Sequence, residues 1–214
     1  MTIFKALCLT CCSLLFVCGC ESTYYATMEQ VGVHKRDILK DRVEEAKEAQ
    51  GEAQQEFKDA LEQFSVLVNF DGGELQDMYE QTEDAYESSA DAAAEVTERI
   101  DGIETVADAL FDEWDDELTQ YTNANLKQQS AQKLKATKRQ YTKLLKSMRR
   151  AESKMAPVLA ALKDNTLYLK HNLNAQAVGS LKGEYQRIKK DTDLLILEMN
   201  KAISESEAFI ATLK

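Results

Sequence analysis

Proline occurs once in this chain and glycine eight times, aromatic residues make up 7% of it, and no cysteine follows Cys20. Each scarcity excludes something. A chain so poor in helix breakers and aromatics is neither collagen-like nor an all-strand sandwich, and its composition suits long helices rich in Ala, Glu, Lys and Leu. With Cys8, Cys11, Cys12, Cys18 and Cys20 all in the first 20 residues, a chain cut before Cys20 keeps one thiol and forms no internal disulfide. Beyond the leader, no segment of about 20 residues is apolar enough to span a bilayer without charges. A basic excess is also lacking: the formal charge is -11, which argues against nucleic acid as a partner.

Lys5, the apolar run from Ala6 to Val17 and the small residues before Cys20 have the layout of a secretory signal, too short to be a membrane span. Val17-Cys18-Gly19-Cys20 resembles the lipobox of bacterial lipoproteins, in which the cysteine after the cut receives a diacylglycerol. The resemblance implies residues 1–19 as a removed signal peptide, Cys20 as the lipidation site and residues 20–24 as anchor and tether. Residues 25–214 then form one helical-bundle domain on the periplasmic side of a membrane. Glu21 is not the aspartate that retains such lipoproteins at the inner membrane, so the outer membrane is the expected destination.

Apolar and small residues recur every three or four positions through four segments, the signature of one buried stripe per helix. The first runs from Leu39 through Val43, Ala53, Phe57 and Phe64 to Leu67, and ends at Asn69-Phe70-Asp71-Gly72-Gly73. A second begins near Glu74 and passes through Thr82, Ser89, Val96, Ile100, Leu110, Trp114 and Leu118 to Tyr121, with Gly102 inside it. After Thr122-Asn123-Ala124-Asn125 a third carries Leu134, Tyr141, Leu144, Met148, Met155, Val158 and Leu169, and crosses Pro157 in phase. There a kink over residues 153–157 is expected, because proline removes one helical hydrogen bond and crowds the preceding turn. His171-Asn172-Leu173-Asn174 reads as a turn, and a fourth helix is expected to run unbroken from Gln176 or Ala177 to the C-terminus. Four stripes joined by short turns predict an all-α, elongated antiparallel four-helix bundle or coiled coil. The pattern leaves open whether the stripes close within one chain or leave a seam for a second copy.

Between Glu74 and Glu117 seventeen residues are acidic and only Arg99 is basic, whereas from Lys127 to Lys154 ten are basic and only Glu152 is acidic. A reversal at Asn123-Ala124 sets Asp112 against Lys135, Asp108 against Arg139, Glu104 against Lys143, Asp101 against Lys146 and Glu98 against Arg149. At about 0 to 1 kcal/mol for an exposed pair, such contacts select the register and the apolar stripes supply the stability. The rival use of the basic stretch is a surface for anionic lipid or lipopolysaccharide.

Chemical motifs are missing. There is no G-x-x-x-x-G-K-[ST] phosphate cradle and no Glu-x-x-His pair of a di-iron bundle. The two histidines, His34 and His171, belong to no recognisable catalytic arrangement, and His171 falls where a turn residue caps a helix. The acidic run from Asp112 to Glu117 would splay its side chains around a helix instead of wrapping a calcium ion, and Trp114 lies on the apolar stripe. The expectation is a non-enzymatic chain with no cofactor and no metal.

His34-Lys35-Arg36-Asp37-Ile38-Leu39, Phe70-Asp71-Gly72-Gly73, Leu110-Phe111-Asp112-Glu113-Trp114 and Leu169-Lys170-His171-Asn172-Leu173-Asn174-Ala175 together resemble a family of uncharacterised Gram-negative lipoproteins known only as a domain of unknown function. The resemblance spans nearly the whole mature chain and implies an envelope location and a helical fold, with no activity or functional residue to carry over. The resulting expectation is a lipid-anchored periplasmic scaffold or adaptor for an unknown envelope protein. The alternative is a binder of anionic lipid or lipopolysaccharide through the third helix.

Overall fold

The computed structural model describes residues 34–213 except Asp71 and Gly73. Their path is five helices: α1 (Lys35–Val68), α2 (Leu75–Gln120), α3 (Ala124–Lys170), α4 (Ala175–Ser180) and α5 (Lys182–Thr212). The chain reverses after α1, after α2 and around α4, and the long helices close a ring in which α1 packs on α2, α2 on α3, α3 on α5 and α5 on α1. The 46 residues of α2 and 47 of α3 make each about 70 Å long at 1.5 Å per residue, so the all-α bundle is elongated.

The stripes account for the core. Leu39, Val43, Phe57, Phe64 and Leu67 of α1 meet Val96, Ile100, Ile103 and Ala107 of α2, Leu144, Met148 and Leu169 of α3, and Ile188, Leu195 and Met199 of α5 in one apolar cluster. Most small polar residues on the stripes pair their hydroxyl by donating to the carbonyl one turn back, the buried Thr192 hydroxyl of α5 being the exception with no partner. Thr82 bonds Met78, Ser89 bonds Ala85, Thr137 bonds Lys133, Thr166 bonds Leu162 and Ser206 bonds Ala202. Gln50 is different: it is fully buried, and neither its amide nitrogen nor its amide oxygen has a hydrogen-bond partner.

The turns follow local chemistry. Gly72, between α1 and α2, has φ 151°, a conformation that side-chain-bearing residues rarely adopt. The Asn123 carboxamide accepts from the backbone N–H groups of Asn125 and Leu126 and caps α3, and Asn174 caps α4 by accepting from Ala177. His171 ends α3, and the backbone N–H of Asn172 just after it donates to the Leu169 carbonyl at 2.9 Å. Helix α3 continues through Pro157, and α2 through Gly102.

The fourth expected helix is not continuous. It divides at Leu181 into α4 and α5. Gly179 and Gly183 flank the break, each costing helix stability relative to alanine, and the Ser180 hydroxyl donates to the Ala177 carbonyl in competition with the helical ladder.

Candidate interaction surfaces

Lysine and arginine on α3 meet acids on α2 in the antiparallel sense expected, but with different partners. Lys138 pairs with Asp115 at 2.6 Å, Arg149 with Asp101 and Glu104, and Lys170 approaches Glu83 at 3.9 Å. The five pairings set out from the turn position, Asp112–Lys135, Asp108–Arg139, Glu104–Lys143, Asp101–Lys146 and Glu98–Arg149, do not form as ion pairs. Side chains lean toward the N-terminus of their own helix, so bases on α3 reach back toward the α2–α3 turn while acids on α2 lean away from it. Each base therefore meets an acid about one turn nearer the α2–α3 turn than the backbone register alone indicates. Lys143 leaves α2 altogether and pairs with Glu205 of α5 at 2.9 Å.

Arg149 is the most engaged base. Partial burial works against its charge, but hydrogen bonds to Asp101, Glu104 and Glu152 outweigh that and raise its pKa. By contrast, no described carboxylate lies within ion-pair distance of Lys127, Lys133, Lys135, Arg139 or Lys146, and the chain holds no acid between Glu117 and Glu152. Burial first, then the nearby Asp108 and Glu104, push the Tyr141 hydroxyl up, and its ring packs edge-on to Phe111 at 5.3 Å. Tyr79 is pushed up to about 12 by burial and by its hydrogen bond to Glu83.

Among the described residues, helices α2 and α3 outrun their neighbours. Lys35, in the first turn of α1, is level with Glu113 through a 3.1 Å ion pair, and Phe209, near the end of α5, is level with Tyr141. Past those points the α2–α3 hairpin continues as a two-helix prong, and among the described residues none from Asp112 to Lys133 is buried. Trp114, expected in the core, is only half-buried and donates its indole N–H to Ser130 Oγ at 2.8 Å. Tyr121 and Leu126 at the tip are exposed. One side of the prong is a groove of about 360 Å³ with Leu118, Ala131 and Leu134 on its floor and Asp115, Lys135, Lys138, Arg139 and Thr142 around it.

A second set of exposed apolar residues occupies the opposite end. Val66 in the last turn of α1, Leu167 and Tyr168 in the last turn of α3, and Leu173 in the α3–α4 turn are all exposed. On the outer face of α5, Leu194 and Leu197 lie one turn apart beside Gln186, Lys189, Lys190 and Asp193. Leu173 continues the spacing of the third stripe past Leu169 yet is exposed, whereas Val66, Leu167, Tyr168, Leu194 and Leu197 fall off the core phase and look like scattered surface positions.

The expected lipidation site Cys20, with the signal peptide and tether, lies outside the described residues. Among the described residues no three His, Cys, Asp or Glu side chains gather so as to hold a metal ion, and no helix is long and apolar enough to cross a membrane. His34 and His171 stand at opposite ends of the bundle, at the start of α1 and the end of α3. The acids from Asp112 to Glu117 diverge, Glu113 to Lys35 and Asp115 to Lys138.

Neither a curated protein nor a solved structure matches the chain. A family model described as "Protein of unknown function (DUF2959)" matches residues 24–213, well over half of the chain, so the chain belongs to that family.

Proposed function

We propose that this chain is a lipid-anchored, non-enzymatic helical rod on the periplasmic side of a bacterial membrane, the outer membrane by preference, acting as scaffold or adaptor for another envelope protein. The observation that carries the reading is the exposed apolar group of Val66, Leu167, Tyr168 and Leu173, at the end of the bundle remote from the start of α1. A lipid on Cys20 would hold the α1 start near the membrane and present that remote end to a partner. All four lie toward one end of the bundle, Val66 on α1 and Leu167, Tyr168 and Leu173 on α3 and the turn after it, and exposed large apolar residues at one end suit a contact surface. Two measurements test the two halves. The mass of the mature chain from cells should correspond to a start at Cys20 carrying lipid, whereas a chain starting later or without lipid would remove the anchor. Photoreactive residues at Leu167, Tyr168, Leu194 and Leu197 in living cells should capture one recurrent envelope protein; capture of none would remove the adaptor role.

A second reading draws on Lys127, Lys133, Lys135, Arg139 and Lys146, which form no ion pair with a described carboxylate and would suit anionic lipid or lipopolysaccharide. Binding through these lysines and arginines should weaken steeply as salt rises, whereas an apolar protein contact should hold.

A further inference from the structure

We propose that the apolar side of the α2–α3 prong is the docking surface for residues 24–33 of the same chain. These residues lie outside the described ones. Three contacts fix the register of α1 on α2: Lys35 with Glu113, Glu45 with Arg99, and the Ser89 hydroxyl donating to the Glu56 carbonyl at 3.2 Å. Every step forward on α1 corresponds to a step back on α2. Docking in that register, carried backward past Lys35, would set Val31 and Gly32 level with Trp114, Met28 level with Leu118, and Tyr25 level with Tyr121.

The sequence places apolar side chains where this alignment needs them. Val31, Met28 and Tyr24 or Tyr25 continue the three/four spacing of the α1 stripe from Leu39 through Lys35. Lys35 itself holds a stripe position, with only 12% of its side chain exposed while its ammonium reaches Glu113, so the α1 stripe is already turned into the prong where the described chain begins. Length agrees as well: the eight steps from Glu113 to Tyr121 rise about 12 Å, and ten helical residues would rise about 15 Å. Glu29 is the only charge from Tyr24 to Val33, so the segment can enter without burying an ion on its apolar side. The family match begins at residue 24, which includes the whole segment in the domain that ends at residue 213.

The proposal gains its functional meaning from the lipid-anchored reading and rests on it for that step alone: with Cys20 four positions before Tyr24, docking would hold the prong tip close to the membrane and the rod end-on to it. The docking itself is tested without lipid. In the chain from residue 20 onward carrying Cys20→Ser, the pair Met28→Cys and Leu118→Cys should oxidise to a disulfide within one molecule. The pair Met28→Cys and Asp116→Cys should not. A disulfide between two molecules would give the surface to a second copy, and no disulfide would leave it to another partner; either result overturns the proposal. Trp114, the only tryptophan, supplies a second readout. Met28→Asp should increase its quenching by acrylamide with helix content unchanged, and unchanged quenching would overturn the docking. Because no lipid is present, failure here would leave the anchor standing, and the mass of the mature chain reports on the anchor separately.

Discussion

The four-helix body and the two-helix prong are built from the same stripes, yet only one of them is solid. In the body, Phe57 and Phe64 of α1 and Ile100 of α2 lose all exposure because three other helices surround them. In the prong, Trp114, Leu118 and Tyr121 keep the spacing of the same α2 stripe and stay partly or largely exposed. Periodicity marks the face that seeks a partner, and the number of neighbours decides whether the face is buried. Helix propensity and stripe therefore do not distinguish a core from an open docking surface; register does.

The largest test of that contrast is a pair of truncations. Phe57→Ala should destabilise the body by about 3 to 5 kcal/mol through lost burial and the cavity left behind. Leu126→Ala, at an exposed tip position, should change stability by no more than about 0.5 kcal/mol. Denaturant midpoints of the two variants measure both, and equal effects would erase the distinction. Next in size is Gln50, the one fully buried side-chain amide among the described residues with no partner for either polar atom. Gln50→Leu should stabilise the body by about 1 to 3 kcal/mol, the desolvation cost of a buried unpaired polar group. A loss of stability, seen in the same titration, would show that the amide is satisfied in solution. In the prong, Asn123→Ala should cost about 1 kcal/mol by removing the α3 cap, seen as faster amide exchange in the first turns of α3 with the body unaffected. The smallest effect is alkaline. Tyr79 has its pKa raised in the folded chain, so its contribution is complete below pH 10 and is lost as pH rises through about 12. Tyr79→Phe should flatten the stability curve over that interval.

Much of the body was readable before any coordinates, and the reasons are specific. Leu39 to Leu67 fixes the buried face of α1 because every third or fourth residue is apolar or small, and Thr82, Ser89, Thr137, Thr166 and Ser206 on the other stripes fit since their hydroxyls bond one turn back. Asn123 and the Gly72 region were legible as turns through capping and backbone freedom. Gln50 was not, because Ala49 beside it satisfies the stripe equally well and a glutamine ordinarily signals solvent. Tyr79 was hidden in the same way by Met78. The division at Leu181 is not legible in the sequence, because the stripe runs through it in phase while Gly179, Ser180 and Gly183 weaken the backbone. Ion-pair partners were wrong by about a turn, since side-chain lean is a three-dimensional property. At the remote end the exposed Val66, Leu167 and Tyr168 lie off the stripes, and a surface without a pattern names no partner.

Amide hydrogen exchange of the intact chain, followed residue by residue, tests the contrast between body and prong most directly. The slowest amides should fall together in Val43–Phe64, Val96–Leu110, Leu144–Leu169 and Ile188–Phe209, with Asp115–Lys133 exchanging through separate, lower-energy openings. Uniform protection from Val96 through Leu169 would show that α2 and α3 are one cooperative unit to their tips, and would contradict the division drawn here.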